Sequence, residues 1–340
     1  MPIKQNIYIK TYMFLDSFSV EKYQPNYQSL WNDFVATSKN ATFLFHRDFM
    51  DYHKDRFEDY SLMVFKDGKL TALLPANKSG QDIHSHQGLS YGGLLLQNDI
   101  KFEDVLESFK GILKFLNAEF IEFLHLKLLP KIYHQLPSDE IDYLLFILNA
   151  QIARRDLSES IDLGKLAKIK ASNRVRGLKK AIKNGLVVKE VKSFEAFWKD
   201  ILIPNLQSQH QANPVHSLEE ITHLKNRFPK QIRQFNVYKD IEIVAGVTIF
   251  ESETVAHAQY ISANGQKQEL GSLDIVFDHL INEVYKNKRY FDFGISNEQQ
   301  GKVLNSGLLS WKESFGAKPI VHDFYTIDTS NHKFLDSVLK

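Results

Sequence analysis

The chain contains no cysteine, which excludes disulfides, thiolate metal sites and a cysteine nucleophile. It also has almost no net charge. Its 42 Lys and Arg stand against 41 Asp and Glu, leaving +1, so no global field draws it to nucleic acid or to a membrane surface. Long apolar runs are missing too: a membrane span needs roughly 18 such residues, and no stretch reaches that length. The first residues, Met1 to Lys10, lack an apolar segment ahead of a cleavage site, so no secretory leader is expected. These absences predict a soluble, cytoplasmic protein without a membrane span.

What is present is an ordinary globular composition, 43% hydrophobic and 24% charged, with 25 Phe to fill an aromatic-rich core. At 340 residues the chain is long enough for about two domains, and an internal repeat supports that division. Val64-Phe65-Lys66-Asp67 returns as Val237-Tyr238-Lys239-Asp240, and Phe120-Ile121-Glu122-Phe123 returns as Tyr290-Phe291-Asp292-Phe293. The repeat is far longer than the roughly 20 to 50 residues of a solenoid unit. It therefore implies two copies of one domain, divided here as 1–165 and 166–340, with the boundary in the polar stretch 151–172.

The spacing of apolar residues predicts the elements. Leu62 to Phe65 and Leu70 to Leu74 read as strands joined at Asp67-Gly68, a strong two-residue hairpin signal. Leu89 to Leu96 and Phe120 to Leu126 read as strands, as does the continuous apolar run Tyr143 to Leu148. Phe102 to Phe115 reads as an amphipathic helix. In the second half, Arg174 to Lys183 is a basic helix closed by Gly185, and Leu186 to Val191 is a strand. Phe194 to Leu206 and Leu218 to Phe228 are helices, followed by a meander over Gln231–Tyr238, Val244–Phe250 and Val255–Ala263. Leu273–Tyr285 is a helix, Tyr290–Phe293 a strand, Leu308–Phe315 a short helix and Ile320–Ile327 the last strand. This order predicts an α/β fold of α+β type, with mixed, mostly antiparallel sheets flanked by helices.

The segments Tyr290-Phe291-Asp292-Phe293-Gly294, Gly307-Leu308, Trp311-Lys312 and Phe315-Gly316 resemble the motif pattern of tandem-GNAT, FemABX-like acyltransferases. Leu74-Pro75, His86 and Tyr91-Gly92-Gly93 look like the first-domain pattern of related bacterial GNAT N-acetyltransferases. The resemblance implies two GNAT-like domains in tandem. The implied activity is N-acyl transfer, acetyl first, from acyl-CoA as co-substrate to a primary amine of an amino sugar or cell-envelope precursor. The absence of a long heptad arm sets an aminoacyl-tRNA-dependent FemABX-type peptidyltransferase second, with tRNA as its partner. A catalytically degenerate pair acting as a binding module is the third reading.

The resemblance also implies site residues. CoA pyrophosphate is expected at a helix N-terminus, where free N–H groups and the helix dipole favour an anion. Gln268, Gly271 and Ser272 match that loop; Gly271-Ser272 equally reads as a helix cap. Backbone N–H groups around Gln259 and Tyr260 are expected to polarise the thioester carbonyl. Lys312 is expected to favour the tetrahedral oxyanion, or else to be a surface lysine beside Trp311. His216 is a candidate base, and Asp292 either an acid/base group or a structural partner.

His210 and His216 lie in the connection expected to shape the acceptor site; their spacing is not a zinc pattern, so no metal is expected. His86, Tyr91, Gly92 and Gly93 are further substrate candidates, since adjacent glycines in a strand signal a close backbone or ligand, or a bulge. Arg176, Lys179, Lys180 and Lys183 share one helix face, fit for sugar-nucleotide phosphates, for tRNA or simply for solvent. On this reading the second domain carries the acyl donor, and the first closes the cleft and shapes the acceptor side.

Overall fold

The structure, a computed structural model, describes residues 13–15, 17–165 and 171–340. The expectation for Met1 to Lys10, and part of the polar stretch 151–172, fall outside the described residues. No helix among the described residues is long and apolar enough to cross a membrane. The chain divides into two compact units, neither of them a continuous segment. The first comprises Met1–Leu129, Leu136–Ala153 and Phe324–Lys340; the second comprises Pro130–Gln135 and Arg154–Asp323.

In the first unit an antiparallel sheet runs in the order Met13–Leu15, Phe18–Lys22, Leu62–Lys66, Lys69–Leu74 and Leu95–Leu96. The predicted hairpin is present. Asp67 (φ 48°) and Gly68 (φ 76°) both take the left-handed conformation that a type I′ turn demands. A second group pairs Phe324–Asp328 antiparallel with Phe123–Lys127, which runs parallel to Asp82–His84. Helix Phe102–Ala118 buries Val105, Leu106, Phe109, Ile112, Leu113 and Leu116, the three-to-four spacing of one face.

Two elements differ from expectation. The apolar run Tyr143 to Leu148 belongs to helix Glu140–Ile147, not to a strand. Ile141, Leu144, Leu145 and Leu148 are buried while Tyr143 and Phe146 are exposed, and Glu140 and Asp142 favour a helix start. A short apolar run does not by itself distinguish strand from helix. The Leu89–Leu96 strand shrinks to Leu95–Leu96, with Gly92 bridging to Leu128.

In the second unit Val187–Val191, Ile232–Lys239, Glu242–Glu251 and Val255–Ala263 form an antiparallel meander. Tyr290–Ile295 then lies parallel to Val255–Ala263, and Gln151–Asp162 lies antiparallel to Tyr290–Ile295. The sheet is thus mixed. The polar stretch expected to be a boundary is, over Gln151–Asp162, a strand with Asp156, Ser158, Glu159 and Ser160 buried.

The repeat reads out in the hairpins. In the first unit the register shifts between Val64 and Phe65; in the second it shifts between the matching Val237 and Tyr238. Asp240 (φ 54°) repeats the conformation of Asp67.

Register decides which side chains share a face, because directly opposed residues point the same way. Val247, Ile249, Ala258 and Phe291 belong to the core, with Val276, Phe277 and Leu280 packed against them. Phe250, Thr248, Tyr260, His257 and Asp292 take the opposite face. Phe197 of the π-helical turn Phe197–Leu202 covers that face at Gly246, where a Cβ would lie 2.4 Å from its ring.

Candidate active site

The parallel pair is short. Val255, Ala256 and His257 oppose Tyr290, Phe291 and Asp292, and beyond that point the two strands part. Val255–Ala263 continues with Glu242–Glu251, whereas Ile295 pairs with Ser158. A wedge therefore opens just past His257 and Asp292. One residue further, Ala258 opposes Ile249 but Tyr260 opposes Thr248, so Gln259 is an extra residue, a bulge that leaves its backbone outside the ladder. The Gln259 Oε1 is buried with no hydrogen-bond partner among the described residues.

Asp292 is buried at the apex of this wedge, and four groups donate to its carboxylate. Tyr133 Oη lies at 2.8 Å, Ser158 Oγ at 2.9 Å, the Gly294 N–H at 3.1 Å and His257 Nδ1 at 2.8 Å. Burial pushes the carboxyl up, but the hydrogen bonds and charge of His257, with Tyr133 and Gly294, overcome that and hold it below the usual carboxylate range. An ionised Asp292 fixes His257 with its Nδ1 proton inward. In the neutral imidazole the lone pair is then on Nε2, which makes no hydrogen bond among the described residues. The His257 side chain is 21% exposed, so it is reachable from outside. A buried carboxylate orienting a reachable imidazole is an arrangement for proton transfer.

Lys312 lies behind this pair. Its Nζ donates to Gly294 O and Ile295 O, both at 2.7 Å, and meets Glu159 Oε2 at 3.2 Å. Both residues of the ion pair are buried, and Ser296 Oγ donates to the same Glu159 oxygen. Burial lowers the lysine's pKa while Glu159 opposes that fall. The three protons of the ammonium match these three acceptors. His216 is also buried on the Asp292 face: its Nδ1 lies 2.7 Å from Tyr260 Oη, and Tyr260 accepts from the His216 N–H at 3.1 Å.

At the far end of Val255–Ala263 is a cleft of about 290 Å³, lined among others by Arg174, Asn205, Ser262, Lys267, Gln268 and Trp311. Asn205 Nδ2 donates to Ser262 Oγ at 2.9 Å. Gln268 is exposed on its rim, and the Ser272 Oγ is buried without a partner among the described residues. Gly271 (φ 72°) begins the helix Ser272–His279 against the backbone of Gly177, where a Cβ would lie 2.1 Å from Gly177 O. The first turn of that helix already holds Asp274, paired with Arg174 at 2.8 Å. A local carboxylate and an arginine thus occupy the ground where a phosphate was expected.

Among the remaining candidates, Arg176 is exposed on helix Ser172–Lys183, whereas Arg174 turns into the cleft. The His210 side chain lies outside the described residues. His86, Tyr91, Gly92 and Gly93 belong to the first unit. His86 (φ 64°) is buried beside His53 and Phe57, and burial, then His53, pushes its pKa down to about 3. Tyr91 Oη lies 3.0 Å from Thr42 Oγ1. At Gly92 a Cβ would stand 2.0 Å from Ser85 O, so backbone packing alone requires that glycine. The positive φ of Gly93 (98°) suits glycine in the same way.

The sequence reading missed His257, Tyr133, Ser158 and Glu159. Only the alternation of Val255–Ala263 signals His257; the others reach the site through long-range folding.

No protein-family model matches the chain, and no curated protein is similar to it. Solved structures do resemble it. FemX superposes with a TM-score of 0.62 at 9% identity, covering 91% of this chain and 98% of that one. L-PGS from Bacillus licheniformis gives a TM-score of 0.55 at 11% identity, over 93% and 96%. A tandem GNAT protein from the clavulanic acid biosynthesis pathway gives 0.53 at 11%, over 92% and 98%. At such low identities the likeness is one of fold: the chain has the tandem-GNAT, FemABX-like fold.

Proposed function

We propose that the protein is an N-acyltransferase whose second unit binds an acyl donor along Val255–Ala263 and passes the acyl group to a primary amine. The observation that carries this reading is the Asp292–His257 pair at the point where the parallel strands part, with the Gln259 bulge just beyond it on the same strand. The neutral amine attacks the thioester carbonyl, forming the C–N bond, and the C–S bond breaks as the thiolate leaves. His257 Nε2 takes the amine proton and returns it to the thiolate. The backbone N–H at the Gln259 bulge receives the developing oxyanion.

Lys312, committed to two carbonyls and Glu159, acts by holding the Gly294 turn beside Asp292. His216 and Tyr260 shape the acceptor side, and Arg174 and Lys267 meet the donor's anionic end in the cleft. The acceptor is an amino sugar or another envelope precursor made in the cytoplasm. One observation favours a second reading, aminoacyl-tRNA as donor. Gly177 and Asp274 fill the expected phosphate loop while Arg176, Lys179, Lys180 and Lys183 stay exposed.

Calorimetric titration with acetyl-CoA, and with free CoA alongside, tests the donor. The expected result is micromolar binding, weakened by Leu206→Trp, because Leu206 lines the cleft and a tryptophan there fills it. Absence of binding by a folded sample rejects the CoA reading in favour of tRNA, whose binding would weaken steeply with salt.

A further inference from the structure

The first unit carries a second constellation that acyl transfer does not use. Asp82 and His84 stand two residues apart on one short strand, so both project from the same side. His84 directly opposes His125 on the parallel neighbour, and His125 directly opposes Thr326 on the next strand. Register alone therefore gathers the four side chains on one face. His125 Nε2 lies 3.0 Å from Asp82 Oδ2, and its Nδ1 lies 3.0 Å from Thr326 Oγ1. The His84 and His125 rings stack with centroids 4.5 Å apart.

One ligand atom from each of Asp82, His84 and His125 falls within 4.8 Å of the other two. Without a further partner the cluster gains little. Its His–Asp pair is about a third exposed, and such pairs contribute at most about 1 kcal/mol. The His84 ring makes no hydrogen bond among the described residues. The ammonium of nearby Lys127 donates to Leu89 O at 2.5 Å.

We propose that Asp82, His84 and His125 bind a first-row divalent cation, zinc first, with the remaining coordination position open to water. Two imidazoles and a carboxylate are a donor set that suits zinc, at bonds of about 2.0 to 2.2 Å. Tetrahedral bonds of that length put neighbouring ligand atoms roughly 3.3 Å apart. Asp82 and His125 need only a slight opening from 3.0 Å, and His84 a ring rotation toward them. Thr326 supplies the outer hydrogen bond that a ligating histidine makes through its second nitrogen, fixing His125 to bind through Nε2. Bound there, the cation ties the Asp82–His84 strand to Phe123–Lys127.

The test is titration of the chelator-treated, dialysed full chain with Co2+, following visible absorption, then displacement by Zn2+. One equivalent of Co2+ should develop ligand-field bands that Zn2+ abolishes, and Zn2+ should raise the melting temperature. Asp82→Asn, which keeps the side-chain shape, and His84→Ala should each weaken binding at least about tenfold, and Thr326→Val by about tenfold. Circular dichroism confirms that each variant is folded; should His84→Ala not fold, Asp82→Asn carries the test alone. Failure of Co2+ to saturate any site, or equal binding by wild type and folded Asp82→Asn, would overturn the assignment.

Discussion

Each unit contains a short parallel strand pair that sets a histidine opposite a polar partner. In the second unit His257 opposes Asp292; in the first His84 opposes His125. The backbone device is the same and the chemistry is not. Asp292 is buried and holds four donors, so its polar atoms are satisfied and its imidazole is aimed. The Asp82 side chain is 33% exposed, and the ring of its neighbour His84 lacks a hydrogen bond among the described residues. A closed network orients a proton carrier, and an open one leaves ligand positions to be filled. Strand register, fixed by each sheet, thus sets the two histidines against different partners in one kind of pairing.

The largest effect should come from breaking the brace of the closed network. Lys312→Ala strands Glu159 as a buried unpaired charge and should cost about 3 to 5 kcal/mol in urea unfolding. Replacing both partners together, Lys312→Met with Glu159→Leu, should cost much less. Equal losses in the two variants would show that the pair does not act as a unit. Next comes Tyr133→Phe, which removes one of the four donors to Asp292. It should cost about 1.5 to 3 kcal/mol, the value of a hydrogen bond to a charged group.

The first unit should respond to acid in its own way. Burial, then neighbouring Arg56, lowers His53 to about 4, and burial, then His53, lowers His86 to about 3. Both folded values lie below the unfolded one of about 6.5. The unfolded chain therefore binds protons first as pH falls. Stability is full above about pH 6.5 and drops toward the folded values, by up to about 1.4 kcal/mol per pH unit for each ring. His86→Asn, which tolerates the positive φ, should flatten that slope between pH 6 and 4; an unchanged slope would show that these rings do not set it. The smallest effect is expected on the exposed helix face. Reversing Arg176 and Lys180 to Glu should leave CoA-dependent turnover unchanged, whereas a large loss would favour the tRNA reading.

Much of the scaffold is legible in the sequence. Asp67-Gly68 marks its hairpin because few residues accept two left-handed conformations in succession, and the repeat of Val64–Asp67 at Val237–Asp240 gives the second hairpin with its register shift. Asp292 and His216, both named as candidates from the sequence, are buried. The rest of the site is hidden for physical reasons. Ser158 and Glu159 make Gln151–Asp162 look like a linker, because their polarity serves Asp292 and Lys312 and not solvent. Tyr133 arrives from a short turn 159 residues away in sequence from Asp292. Gly271 looks like a phosphate-loop glycine, yet the close approach of Gly177 is reason enough for it. Strand pairing sets His257 against Asp292 and His84 against His125, and no local pattern encodes that register.

The most direct measurement is acyl transfer by Asp292→Asn, with acyl-CoA affinity measured on the same sample. The amide no longer favours the His257 tautomer that accepts the amine proton. Turnover is predicted to fall at least about 100-fold with donor affinity within about twofold of wild type. Turnover equal to wild type in a folded Asp292→Asn protein would contradict the assignment of this pair as the proton-transfer centre.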